Sequence, residues 1–202
     1  TPMRAIAFTD LHLSAEALKS LRWKIRLFRP EILLCAGDVS LFGTELDDML
    51  SEINNFNIKT LIIHGNHEDS SAFRKKCQKY RNLIFLHKEY YIHKNYVFFG
   101  YGGGGFSFVD KEFNPIGKKF IKIMQKNKDK KKIFLTHAPP YGTKVDDLGD
   151  HHCGNKTTRD FDTKNEIDLH LCGHLHENFG VKDQLGKTKI LNPGPFGKLL
   201  FL

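Results

Sequence analysis

The stretch Leu61-Ile62-Ile63-His64-Gly65-Asn66-His67-Glu68 sets a run of aliphatic residues directly against Gly-Asn-His. Residues 60–63 are apolar or β-branched without alternation, which predicts a strand buried on both faces. Such a strand delivers the polar residues that follow it to its C-terminal end. Four other runs repeat the pattern. Residues 4–9 lead into Asp10-Leu11-His12, 31–36 into Gly37-Asp38, 132–136 into His137, and 167–172 into Gly173-His174-Leu175-His176. Each buried strand of the main pattern therefore ends in a residue type that binds metals.

Between these strands the sequence turns helical. Leu18, Leu21, Ile25 and Phe28 recur at helical spacing, so residues 14–28 are expected to form a helix capped by Ser14 and closed by Pro30. Residues 44–54 follow suit, with Leu46, Met49, Leu50 and Ile53 on one face, Thr44 as cap, and Asp47 and Asp48 in the first turn. A short helix is expected over 70–80. This β-α-β-α-β-α order predicts right-handed parallel connections with helices covering the sheet. The middle of the chain reads differently, as short strands at 83–86, 90–93 and 96–99 with Asn95 in a turn. Residues 102–105 are four consecutive glycines. They are no P-loop, since no Lys-Ser/Thr follows; a loop beside the site and a turn needing unusual backbone angles both remain open. An amphipathic helix is expected over 113–127, with Ile116, Phe120, Ile123 and Met124 inward. A long polar loop at 138–155 contains Pro139-Pro140 and His151-His152, and connections of that length are often functional. A helix at 157–165 precedes the last histidine pair. The remainder reads as strands at 179–182, 187–191 and 196–202, separated by Gly186 and by Asn192-Pro193-Gly194-Pro195.

The 202 residues suit one domain, 1–202, that buries roughly 70% of its unfolded surface. Hydrophobic residues make up 40% and charged residues 27%, ordinary globular values. With no apolar run of 18 residues, no transmembrane helix is expected and no membrane partner. Met3 reads as the natural start behind Thr1-Pro2, without a signal region, and a cytoplasmic protein is expected. Cys35, Cys77, Cys153 and Cys172 form no CxxC pair and read as reduced thiols. The net charge of +8 is concentrated at 118–132, as either a solvated helix end or a phosphate-tracking patch.

Asp10, His12, Asp38, Asn66, His137, His174 and His176 supply seven oxygen and nitrogen donors. Imidazole with carboxylate suits manganese, iron, zinc or nickel better than calcium or magnesium. Parallel strands end on one side of a sheet, and open α/β sheets place their sites there. Seven donors would close a single ion, so two divalent ions fit better, with Asp38 as bridge because Asp10 already has His12 beside it. Two ions about 3.5–4 Å apart can hold a hydroxide and clamp an in-line phosphoryl displacement. His67 is then free at the rim to protonate a leaving oxygen.

Asp10-x-His12, Gly37-Asp38, Gly65-Asn66-His67-Glu68, His137 and Gly173-His174-x-His176 together resemble the motif set of the calcineurin-like metallophosphoesterases. The resemblance runs from Asp10 to Asn192-Pro193-Gly194. It implies an α/β fold (α+β by some schemes), a four-layer α-β-β-α sandwich of two mixed sheets with flanking helices. It assigns Asp10, His12 and His176 to one metal, Asn66, His137 and His174 to the other, Asp38 to both, and catalysis to His67. Protein phosphatases of this family usually carry an Asp and an Arg where this chain has Leu41 and Phe42, and an Arg at His64. The carboxylate that would orient His67 is therefore missing as well. The chain also lacks the further histidine of the repair nucleases at Leu41. What remains is similar to the small stand-alone phosphodiesterases, and the segment from Thr136 to Gly142 followed by His152 looks like their compact prokaryotic members. The expected function is hydrolysis of small phosphodiesters or nucleotides by a metal-bridging hydroxide, with Gly103, Gly104 and His152 near the substrate. A nuclease acting on nucleic acid and a non-catalytic scaffold are the alternatives.

Overall fold

The computed structural model describes residues 2–202 and contains two mixed sheets. β1 (Arg4–Phe8), β2 (Ile32–Cys35), β3 (Thr60–Ile62) and β4 (Leu83–Phe85) run parallel, and β11 (Lys198–Phe201) closes the sheet antiparallel to β1. In the second sheet β6 (Tyr96–Tyr101), β7 (Lys131–Thr136), β8 (Leu169–Leu171) and β10 (Thr188–Leu191) are parallel. β5 (Glu89–His93) and β9 (Lys182–Leu185) lie antiparallel at its edges.

Strand periodicity builds the layers. Ala5, Ala7, Ile32, Leu34 and Leu61 point inward and meet Phe98, Ile133 and Leu135 of the other sheet. The alternate residues Ile6, Phe8, Leu33, Cys35 and Ile62 point outward against α1 (Ala15–Phe28), α2 (Leu46–Asn54) and α3 (Ser70–Cys77). On the far side Val97, Phe99 and Phe134 meet α4 (Phe113–Lys126) and α5 (Lys156–Lys164). The four layers expected from the sequence are the ones observed. Behind β7, Asp162 on α5, His170 on β8 and Thr136 form a buried chain of hydrogen bonds at 2.6 and 2.7 Å that ends on the Ala138 carbonyl.

Two local expectations fail. Thr44 does not cap α2: its hydroxyl donates to the Leu41 carbonyl within a tight turn, and the helix starts after Glu45, which sits at φ 52° and offers no side-chain cap. The strand expected over 179–182 starts only at Lys182 and runs to Leu185: residues 179–181 follow a 3-10 turn at His176–Asn178 and meet Asn192 through the Gly180 N–H and the Val181 carbonyl without forming regular strand. Ser14 caps α1 as expected, accepting from the Ala17 N–H at 3.1 Å, and Asp69 and Asn155 cap α3 and α5 in the same way.

Phe120 is fully buried among Phe99, Phe113, Phe134 and Phe161, with ring centroids at 4.9–6.4 Å. Phe120→Ala is expected to cost about 3–5 kcal/mol, read as a lower denaturant midpoint at unchanged slope in equilibrium unfolding.

Candidate active site

β1, β2 and β3 bring Asp10, His12, Asp38, Asn66 and His67 to one edge, and β7 and β8 bring His137, His174 and His176 to meet them. The chain leaves these strands sharply. Asp10 (φ 53°), His12 (42°), Asp38 (51°) and His174 (72°) all occupy the left-handed region, which costs a non-glycine residue about 1 kcal/mol or more. Such strain persists only where surrounding contacts overrule it. The glycines of the motifs answer a different need. A Cβ on Gly65 would lie 1.9 Å from Asp38 Oδ1, and one on Gly173 would lie 2.1 Å from Thr9 Oγ1. Both positions let backbone pass directly behind a carboxylate.

Each carboxylate has one oxygen tied down and one left facing the imidazoles. Asp10 Oδ2 accepts from the Thr9 hydroxyl at 2.7 Å and the His174 N–H at 3.0 Å. Its Oδ1 is buried without a hydrogen-bond partner, 3.6 Å from His12 Nε2 and 3.4 Å from His176 Nε2. Asp38 Oδ1 accepts from the His67 N–H at 3.0 Å. Its Oδ2 lies 3.2 Å from His137 Nε2, 3.8 Å from His12 Nε2 and 3.9 Å from His67 Nε2. Asp38 thus touches both groups of donors.

The ring tautomers follow from the outer hydrogen bonds. His12 Nδ1–H donates to the Ser40 carbonyl at 3.2 Å and His137 Nδ1–H to the Ala36 carbonyl at 2.8 Å, which turns each Nε2 lone pair inward. His12 Nε2 then sits 3.1 Å from His176 Nε2, and His137 Nε2 sits 2.9 Å from Asn66 Oδ1. His174 Nε2 is buried with no partner. Lone pairs aimed at lone pairs repel, and a cation placed between them removes the conflict. Three overlapping groups have donor atoms close enough to share an ion: Asp10–His12–His176, His12–Asp38–His67 and Asp10–Asp38–His137. The donor set fits the hard-to-borderline divalent metals that carboxylate and imidazole favour.

Without a cation the same geometry holds protons. Burial lifts the Asp10 carboxyl, but the His12 and His176 imidazoles more than offset it and hold it below the ordinary carboxylate range. Burial likewise opposes ionisation of Asp38, and the His137 hydrogen bond and charge outweigh it and bring it down. His137 is pushed down by burial yet raised to about 9 by Asp38 and Asp10. Burial, with His137 nearby, brings His174 down to about 4, so its ring is neutral and its lone pair free.

The sequence profile of the calcineurin-like phosphoesterase family matches residues 3–178, and the chain belongs to that family. Membership places it among metal-dependent phosphoester hydrolases that normally use a dinuclear metal centre and act on small phosphoesters. No curated protein matches the chain. Among solved structures, TT1561 of Thermus thermophilus superposes with a TM-score of 0.79 at 16% identity, covering 100% of this chain and 95% of that one. A dimetal phosphatase from Danio rerio gives 0.65 at 10% identity over 94% and 87% of the two chains. An archaeal phosphodiesterase gives 0.55 at 16% identity over 95% and 84%. At these identities the likeness is one of fold.

The residues expected near the substrate divide. Gly103 donates its N–H to the His64 carbonyl at 3.0 Å, and a Cβ on Gly104 would lie 3.2 Å from Ala138, next to His137. The glycine loop therefore borders the cluster, close enough that a Cβ on Gly105 would lie 3.3 Å from the Asn66 side chain. His152 instead hydrogen-bonds Asp146 at 2.9 Å inside its own loop and packs against Tyr141. Its hydrogen bond and its ring contact are both to residues of that same loop.

Two residues carry more than their place in the sequence suggested. Glu68 is buried and its carboxylate accepts from the N–H groups of Asp38, Ser40 and Gly65 and from the Ser40 hydroxyl, at 2.8–3.1 Å. It fixes the turns that present Asp38 and Asn66, and the Gly-Asn-His-Glu order was the signal available for it. Phe42, at the tip of an exposed turn, stacks on His67 with centroids 4.2 Å apart; no sequence pattern marks that contact.

His87 anchors the glycine loop, accepting the Gly102 N–H on Nδ1 at 2.8 Å. Burial, then the neighbouring His64, depress it to about 3. The unfolded chain takes up this proton below pH 6.5 while the folded chain does not, so stability falls as pH drops from 6.5 towards 3. His87→Gln keeps an acceptor and cannot titrate. With chelator present, its stability is expected to fall less steeply between about pH 6.5 and 4, by up to about 1.4 kcal/mol per pH unit, in urea unfolding at stepped pH.

Proposed function

We propose that this chain is a two-metal phosphodiesterase for small phosphodiesters, nucleotides among them. Asp10, His12 and His176 would hold one divalent ion, Asn66, His137 and His174 the other, and Asp38 both. The observation that carries the assignment is Asp38 Oδ2, which lies within 4 Å of imidazoles from both groups. When bound, the ions supply charge neutralisation and an activated water. The protein's own part is to hold the donors inward-facing, through the Ser40 and Ala36 carbonyls that orient the His12 and His137 rings. His67, partly exposed with Nε2 3.9 Å from Asp38 Oδ2, is placed to give a proton to the leaving oxygen.

The preference for diesters rests on which cations are missing. A monoester carries nearly two negative charges and a diester one, so a site with few fixed cations discriminates less against the diester. Leu41 and Phe42 are exposed and uncharged. His64 is buried, and burial lowers it to about 4, so it brings no positive charge at neutral pH.

A nuclease reading needs the basic surface beside the site. Lys131 and Lys132 begin β7 and His137 follows its last residue, so that surface lies about 20 Å away at ~3.3 Å per residue. A scaffold reading leaves the unpartnered Asp10 Oδ1 and His174 Nε2 without purpose. Four buried free thiols fit a reducing compartment such as the cytoplasm.

The test is a paired assay with manganese at one pH, bis(4-nitrophenyl) phosphate against 4-nitrophenyl phosphate. The diester is expected to have the higher kcat/KM. A clear preference for the monoester would refute the phosphodiesterase reading and leave the metal assignment standing.

A further inference from the structure

A proton-transferring imidazole works only if its ring is held, and the usual holder is a hydrogen bond to the nitrogen that does not meet the substrate. His67 has no such bond. Its Nδ1 is buried without a partner, and the nearest carboxylate oxygen, Asp38 Oδ2, faces Nε2 at 3.9 Å. The backbone N–H of His67 is tied to Asp38 Oδ1, which fixes the Cα but leaves the ring free to rotate. What lies against the ring is aromatic: Phe42 stacks on it at 4.2 Å with planes 21° apart, and His12 borders it at 5.0 Å.

Phe42 is held there at evident cost. Its side chain is 80% exposed, the most exposed of the large hydrophobic residues. It has φ 50° and is followed by Gly43 at φ 77°. Leu41 and Thr44 pair across them, with the Thr44 N–H on the Leu41 carbonyl at 2.9 Å. This is a two-residue turn with both central residues left-handed, a conformation that favours Asn-Gly and penalises a bulky first residue. The Thr44 hydroxyl, lost to α2 as a cap, braces the same turn through the Leu41 carbonyl. A strained, braced turn that presents an exposed phenyl ring to one imidazole is a built contact.

We propose that Phe42 is a positioning residue: its ring, through the stack, sets the orientation of the His67 imidazole in place of a hydrogen-bonded carboxylate. The inference rests on His67 being the proton donor. It requires that the face of Phe42 hold the ring plane with Nε2 towards the leaving oxygen. A flat aromatic side chain at position 42 would preserve that function and a branched aliphatic one would not.

The experiment compares Phe42→Leu, Phe42→Trp, His67→Ala and the Phe42→Leu/His67→Ala double variant. Each is assayed with manganese on diphenyl phosphate, a poor leaving group, and on bis(4-nitrophenyl) phosphate, a good one. His67→Ala is expected to lose about 10²–10⁴-fold in kcat on the poor leaving group. Phe42→Leu is expected to lose about 10–100-fold there, the scale of a misplaced group, with a smaller loss on the nitrophenyl ester and little change in KM. Phe42→Trp should restore turnover, and the double variant should be no worse than His67→Ala. Independently of activity, the His67 ring protons should be shifted upfield by the phenyl ring in NMR spectra of the wild type and lose that shift in Phe42→Leu. Losses that multiply in the double variant, a loss confined to KM, or unmoved His67 resonances would overturn the proposal. A wild-type rate in His67→Ala would instead sink the proton-donor reading, and the positioning role with it, whatever the spectra show.

Discussion

One carboxylate oxygen, Asp38 Oδ2, stands between imidazoles brought by two different sheets, and the rest of the structure is arranged so that it can. Electrostatic repulsion among buried acceptors is the constraint. Asp10 Oδ1, Asp38 Oδ2, Asn66 Oδ1 and several Nε2 lone pairs converge in a space that offers them no N–H. Burying unpaired polar atoms costs about 1–3 kcal/mol each, so the arrangement is unfavourable unless protons or cations enter. The raised pKa of His137, about 9, is the proton answer. Divalent cations would be the stronger one.

That unfavourable convergence is held by a frame of ordinary parts. Interleaved Ala, Ile, Leu and Phe side chains lock the sheets face to face. The Glu68 carboxylate gathers N–H groups from both the Asp38 and the Gly65 turns. The backbone strain at Asp10, His12, Asp38 and His174 sits at the site itself, in the one region where well-packed strands end. Stability is supplied by the layers and spent at their edge.

The fold was legible because two periodicities survive in the sequence: unbroken apolar runs for the parallel strands and 3.6-residue stripes for the helices. The donor residues were legible because each closes such a run. What escaped was set by tertiary contact. Thr44 looks like a helix cap and is claimed by a turn instead. Residues 179–182 look like a strand, but the turn after His176 delays the regular strand to Lys182. The loop that carries His152 is framed by the Asp146 carboxylate, which holds His152 and accepts from Gly142, Thr143 and Gly154, and no local pattern marks that frame. Phe42 is unreadable from sequence, since nothing local relates it to a ring 25 residues away along the chain.

If these side chains form one site for two ions, the ions must share Asp38. Anomalous diffraction from crystals grown with manganese tests it most directly. Two manganese peaks are expected, one among Asp10, His12 and His176 and one among Asn66, His137 and His174, with Asp38 in contact with both. A single peak, or two peaks of which only one touches Asp38, would contradict it.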